Sequence, residues 1–134
     1  MRYLLDTDTC IYFLKDSYPS VADRIEQTPT MNIRLPSVVT AELLYGAEKS
    51  TKRPHSLAVL RTFLTMYEIV PFDDKCAVCY AVIRAGLERK GRIIGANDLL
   101  IAATAVANNG ILVTHNTGEF SRIPGLLLED WVRV

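Results

Sequence analysis

The sequence predicts an α/β domain of three layers, with a central parallel sheet of four to five strands covered by helices on both faces. Three observations predict it. Short apolar runs, beginning with Tyr3-Leu4-Leu5, recur along the chain and read as strands buried on both faces. Between them lie stretches with apolar residues at spacings of three and four, the signature of amphipathic helices. Gly and Pro mark the boundaries, as at Pro36, Pro54, Gly91 and Gly110. At 134 residues, 49% apolar and 22% charged, the chain is expected to be one domain, residues 1–134, able to bury a core that offsets the entropy of ordering its backbone.

Residues 3–5 form the first predicted strand, and Cys10, Ile11, Phe13 and Leu14 suit a helix after it. A second short helix covers 21–27, with Ser20 as its N-cap and Pro29 beyond its end. Residues 31–35 read as a strand. Pro36 and Ser37 then open a helix over 38–50, whose apolar face is read as Val38, Val39, Ala41 and Tyr45, with Glu42 inside that stripe. A polar connector with Lys49, Lys52, Arg53 and Pro54 leads to a helix carrying Leu57, Leu60, Leu64 and Tyr67 on one face. Residues 69–72 are the next strand. Cys76, Cys79, Tyr80, Ile83 and Leu87 give helical spacing over 73–90, stopped by Gly91. Asn97 is read as the cap of a helix running to 109 and ended by Gly110, apolar nearly all round and therefore mostly buried. Residues 111–114 form a fourth strand, His115 to Gly118 a polar turn, and 126–128 a fifth strand.

Composition narrows the function. No apolar run approaches the ~18 residues that cross a bilayer, and Asp6 comes too early for a signal peptide, so a cytoplasmic protein with no membrane association is expected. Three cysteines, none at metal spacing from a His, read as free thiols. Fifteen Lys and Arg balance fifteen Asp and Glu, so any nucleic-acid contact must rest on a local patch.

The chemistry lies in the acids. Asp6 ends the first strand, and Thr114, Asn116 and Glu119 follow the carboxyl end of the fourth, the edge where parallel sheets place their ligands. Glu42, placed within an apolar stripe, needs a partner: a buried ion pair or cap is the ordinary reading, a metal ligand the sharper one. Asp98 at a helix start gains from the dipole with no function at all. Four acids on four segments at one edge would repel and raise one another's pKa unless a hard divalent cation neutralised them. Mg²⁺ or Mn²⁺ suits such a set, and the reaction class it points to is phosphodiester hydrolysis.

Five stretches carry a resemblance: Leu4-Leu5-Asp6-Thr7-Asp8, Thr40-Ala41-Glu42-Leu43-Leu44-Tyr45-Gly46, Gly95-Ala96-Asn97-Asp98-Leu99, Thr114-His115-Asn116-Thr117-Gly118-Glu119-Phe120 and Pro124-Gly125-Leu126. The chain resembles the PIN-domain toxins of the VapC type over essentially its whole length. The resemblance implies a metal-dependent endoribonuclease that cleaves RNA, in some such toxins transfer RNA, leaving 5′-phosphate and 3′-hydroxyl ends. It further implies inhibition by a small antitoxin protein and a homodimer. By the same resemblance Asp6, Glu42 and Asp98 correspond to acidic metal ligands, Glu119 to a fourth acidic position often filled by Asp, and Thr114 and Asn116 to polar residues beside the site. The chain departs from the pattern at Asp8, where Asn is usual, and at His115, where a different polar residue is commoner.

Other signals carry less. Arg84, Arg89, Lys90 and Arg92 are either RNA contacts or a solvated helix end, and so are Lys49, Lys52 and Arg53. The Cys76 and Cys79 pair reads as core packing, because a redox pair of that spacing sits at a helix N-terminus after a strand with one thiol exposed. Trp131 reads as core, His55 as surface, and His115 as a neighbour of the site. The helix with Ile11, Tyr12 and Leu14 and the one after it offer an apolar groove for an antitoxin segment. Two alternatives remain. Asp6 and Asp8 also fit a haloacid-dehalogenase-like phosphatase, with Asp6 as nucleophile and Asp8 as general acid, which leaves Glu42 unexplained. A metal-free interaction module keeps the fold and loses the chemistry.

Overall fold

In the computed structural model, which describes residues 1–134, five parallel strands lie in the order β3-β2-β1-β4-β5. They are β1 (Tyr3–Leu5), β2 (Ile33–Pro36), β3 (Glu68–Val70), β4 (Ile111–Val113) and β5 (Leu127–Glu129). Seven helices connect and cover them: α1 (Thr7–Leu14), α2 (Pro19–Gln27), α3 (Ser37–Glu48), α4 (Arg53–Leu64), α5 (Asp74–Arg89), α6 (Ala96–Ala107) and α7 (Thr117–Phe120). The result is the three-layer α/β/α architecture with five strands. Leu4 pairs in register with Arg34 on one side and Leu112 on the other, so β1 is the centre of the sheet. Strand order reverses at β1, and the crevice beyond the carboxyl ends of β1 and β4 is the switch point of an open α/β sheet.

The core explains the short strands. Leu4, Leu5, Ile33, Leu35, Leu112 and Val113 are fully buried, as strands covered on both faces must be. Gly110 enters β4 where a Cβ would lie 2.2 Å from Leu4 Cδ1. Its role is therefore close approach, while Asn109, at φ 52°, makes the left-handed turn that ends α6. Trp131 is buried edge-on against Tyr3 with centroids 5.4 Å apart, and its indole N–H donates to Glu129 Oε1 at 2.9 Å. No helix is long and apolar enough to cross a membrane.

Several local expectations are corrected. Helix α2 starts at Pro19, whose missing N–H suits the first turn, and Ser20 makes no cap; its hydroxyl instead accepts from the Arg133 N–H at 2.8 Å. Helix α1 begins at Thr7, earlier than residue 10, because Asp6 caps it by accepting from the Thr9 N–H at 2.9 Å. The polar stretch after β4 is a short helix, α7. On α3 the buried stripe is Val39, Leu43 and Ala47; Ala41 and Tyr45 are exposed, Tyr45 by 65%. Cys76 does sit in the first turn of a helix after a strand, with Asp73 capping its N–H at 3.1 Å. Its thiol is nevertheless buried against the Pro71 carbonyl and pushed up by desolvation, which leaves it a packing residue.

Candidate active site

The four acids predicted from sequence meet at the carboxyl edge of the sheet. Asp6 caps α1 at the end of β1 and is 5% exposed. Burial raises its pKa most; Thr114 and Thr9 work against that by hydrogen bonding, and the neighbouring charge of Asp8 adds to it. The Thr114 hydroxyl also accepts from the Asn116 N–H at 3.0 Å, tying the turn after β4 to the same spot.

Glu42 is half-buried on α3, and both of its oxygens are held. One accepts from the Thr7 hydroxyl and the other from Asn97 Nδ2 at 3.2 Å. Asn97 is thus not a cap: Gly95 occupies the N-cap position of α6, and the Asn97 amide bridges α6 to α3. Asp98 follows on the first turn of α6. Its pKa is pushed up to about 7, first by burial, then by the charge of Glu119 and a hydrogen bond with it, then by Asp6 and Glu42.

Glu119, on α7, is the anion of this pair. Burial opposes its ionisation, but the Gly95 N–H, at 3.1 Å, the Asn116 amide, at 2.9 Å, Asp98 and the Arg122 charge together hold its carboxyl below the usual range. Asp98 and Glu119 are therefore a hydrogen-bonded pair of acids in which Asp98 is the more readily protonated. None of the four acids enters any of the five ion pairs of the molecule.

Several carboxylates that enter no ion pair, one of them raised by burial and by the charge of the others, are a donor set that suits a hard divalent ion. The side chains do not yet gather: no group of three or more Asp, Glu, His or Cys residues converges closely enough to hold an ion at one point. Thr7 and Asn97 hold Glu42 apart, and Gly95 and Asn116 hold Glu119. Asp6 and Asp98 are the acids free of side-chain amide partners, and the outer two would have to exchange a hydrogen bond, or act through water, to reach an ion held by that pair.

The remaining predicted residues scatter. Asp8 is exposed and makes no side-chain hydrogen bond. His115 pairs with Asp130 at 2.9 Å beside the Tyr12 and Tyr18 rings. Arg84 is engaged by Glu88 and the Tyr80 hydroxyl, whereas Arg89, Lys90 and Arg92 are exposed. A groove of about 900 Å³ runs beside the acids between α1, α3 and α4, lined by Ile11, Leu14, Val38, Ala41, Tyr45 and Val59. It confirms the apolar groove on α1 but forms its other walls from α3 and α4, not α2. Thr7, Gly95, Asn97 and Arg122 were not read as site residues. Thr7, Gly95 and Asn97 lie inside motifs quoted for their acids; nothing in the spacing marks Arg122.

A PIN-domain profile matches residues 3–126. Over 132 residues the chain is 46% identical to Ribonuclease VapC2 of Rickettsia felis, covering 98% of both proteins. The chain belongs to the VapC family of PIN domains. This PIN domain is also 37% identical over 131 residues to the tRNA(fMet)-specific endonuclease VapC of Salmonella typhimurium, again covering 98% of each. Among solved structures, it is similar to the DNA-bound VapBC2 of Rickettsia felis, with a TM-score of 0.90, 44% identity and coverage of 98% and 99% of the two chains. It is likewise similar to the DNA-bound VapBC of Salmonella typhimurium, with a TM-score of 0.93, 37% identity and 98% of each chain covered. The phosphatase and interaction-module alternatives gain nothing from these likenesses.

Proposed function

We propose that this PIN domain is a Mg²⁺-dependent endoribonuclease, with Mn²⁺ able to substitute, and the toxin of a toxin–antitoxin pair. The observation that carries the reading is Asp98 at the edge where Asp6, Glu42 and Glu119 meet, its carboxyl pushed up to about 7 first by burial and then by those three carboxylates. The relatives named as ribonucleases and as a tRNA(fMet)-specific endonuclease support RNA, and transfer RNA in particular, as the substrate. When bound, the ion supplies a water of lowered pKa and neutralises charge that develops at the phosphorus.

The chain's own residues set the stage for that. Asp6 and Asp98, with Glu42 and Glu119 beside them, hold the ion at the mouth of the sheet crevice. Thr7 and Asn97 orient the Glu42 carboxylate, and Gly95 and Asn116 orient Glu119, so the outer acids are positioned before substrate arrives. Thr114 fixes Asp6 and the turn that carries Asn116. The products carry 5′-phosphate and 3′-hydroxyl ends.

The groove between α1, α3 and α4 is the seat of an antitoxin segment. The solved neighbours support it in being VapBC toxin–antitoxin assemblies. The toxin works in the cytoplasm as a homodimer. The test incubates antitoxin-free protein with total RNA at fixed salt, with Mg²⁺ or EDTA, beside an Asp98→Asn variant. Discrete fragments from the wild type with Mg²⁺ alone are expected, with cleavage reduced on the order of 10²- to 10³-fold in the variant. Equal patterns in every lane would remove the reading.

A further inference from the structure

The segment between α5 and α6 faces the end of α7 across a polar concavity of about 450 Å³, lined by Gly91, Arg92, Ile93, Gly118, Ser121 and Arg122. It adjoins the acid cluster through one seam. The Gly95 N–H donates to Glu119 Oε1 at 3.1 Å, and two residues earlier on the same segment the Ile93 carbonyl accepts from the Arg122 guanidinium at 3.1 Å. Arg122 follows one turn after Glu119, near enough for its charge to act on that carboxylate.

The two arginines of this concavity have no ion-pair partner. Arg24, Arg34, Arg53 and Arg84 each pair with a glutamate, whereas neither Arg92 nor Arg122 enters an ion pair. A guanidinium carries five donors in a fixed fork, and the Ile93 carbonyl engages only one nitrogen of Arg122. Gly91, at φ 65°, makes the left-handed turn that brings Arg92 to the wall opposite. Two guanidiniums that line one small hollow without an ion-pair partner offer a phosphate group donors that match its geometry.

We propose that this concavity is a phosphodiester subsite, in which Arg122 and Arg92 hold the RNA phosphate neighbouring the scissile one on the Glu119 side. The subsite rests on the ribonuclease reading above and adds the direction in which the strand leaves the acids. It also explains why the cationic residues clustered in sequence do not act together: Arg84 is consumed on α5, and Arg92 is turned toward a partner thirty residues on.

The test measures binding of a labelled single-stranded RNA to metal-free protein in EDTA by fluorescence anisotropy across a salt series. Arg122→Ala and Arg92→Ala are each expected to weaken binding and to flatten the slope of log affinity against log salt by about 0.7, the loss of one phosphate contact on a single strand. Arg122→Lys keeps the slope, and so does Lys75→Ala on the exposed face of α5. With Mg²⁺, Arg92→Ala raises KM and leaves kcat within about threefold. Alanine variants that melt like wild type and keep its slope and affinity overturn the subsite, while Mg²⁺-dependent cleavage by the wild type leaves the ribonuclease reading standing. Arginine-dependent binding with no cleavage does the reverse. If loss of the Ile93 contact unfolds Arg122→Ala, Arg92→Ala decides, because it breaks no bond in the folded chain.

Discussion

The acid cluster and the groove between α1, α3 and α4 lie side by side, share Glu42, Thr7 and Asn97, and fail to satisfy themselves in opposite ways. In the cluster every outer carboxylate has its hydrogen bonds, but the sum of charge is uncompensated and one acid is driven to about pH 7. In the groove little is charged, but Tyr45 and Val59 are 65% and 43% exposed and apolar surface meets water. Repulsion calls for a cation and exposed apolar area for an apolar segment, so the two regions await different partners. Because Glu42 belongs to both, what seats in the groove lies within reach of the acid cluster.

Tyr45→Asp separates them most sharply. Lys49 sits over the Tyr45 ring at 4.8 Å, and replacing the ring with a carboxylate removes the anchor of the groove. Titration of cleavage with the cognate antitoxin should show affinity falling roughly 100-fold, with the uninhibited cleavage rate unchanged. A matching loss of basal cleavage would show that the two regions are one.

A smaller effect probes the cluster alone. Asp98 ionises at its ordinary value in the unfolded chain and near pH 7 in the folded, metal-free one, so between those values the folded state binds the extra proton. Its contribution to stability is present at acid pH and is lost as pH rises through about 7. In EDTA at pH 8, Asp98→Asn should therefore raise Tm by about 3–5 °C, a figure discounted for the partial exposure of the site, and should flatten Tm against pH. Mg²⁺ should stabilise the wild type at pH 8 and not the variant. A wild-type Tm that rises steadily from pH 4 to 7 in EDTA would contradict the raised Asp98 carboxyl.

The smallest effect is at Asp8. Its charge raises the Asp6 carboxyl, but the side chain is exposed and bonded to nothing. Asp8→Asn should leave Mg²⁺-dependent cleavage within about threefold of wild type. A phosphatase using Asp8 as general acid would instead lose its activity.

Much of the fold was legible because apolar runs and helical spacing record which side of each element faces the core. The β1, β4 and α6 positions fall where periodicity puts them, since Leu4, Leu112 and Ala102 have no polar alternative. Where two stripes competed on α3, periodicity misassigned most of the face: of Val38, Val39, Ala41 and Tyr45 only Val39 is buried, and it shares the core side with Leu43 and Ala47. Glu42 was found for a reason the structure revises, since it lines an open groove rather than a closed stripe.

By itself the sequence determined the fold class, the family and the identities of the four acids, because strand and helix periods and short motifs are local properties of the chain. Tertiary structure alone decided that Asp98 rather than Glu119 keeps the proton, since that depends on the Gly95 N–H, the Asn116 amide and the Arg122 charge converging on one carboxylate. It alone brought Arg92 and Arg122 to one hollow and Asn97 to Glu42. Electrostatics and hydrogen bonding act through space, over distances that the order of residues does not encode.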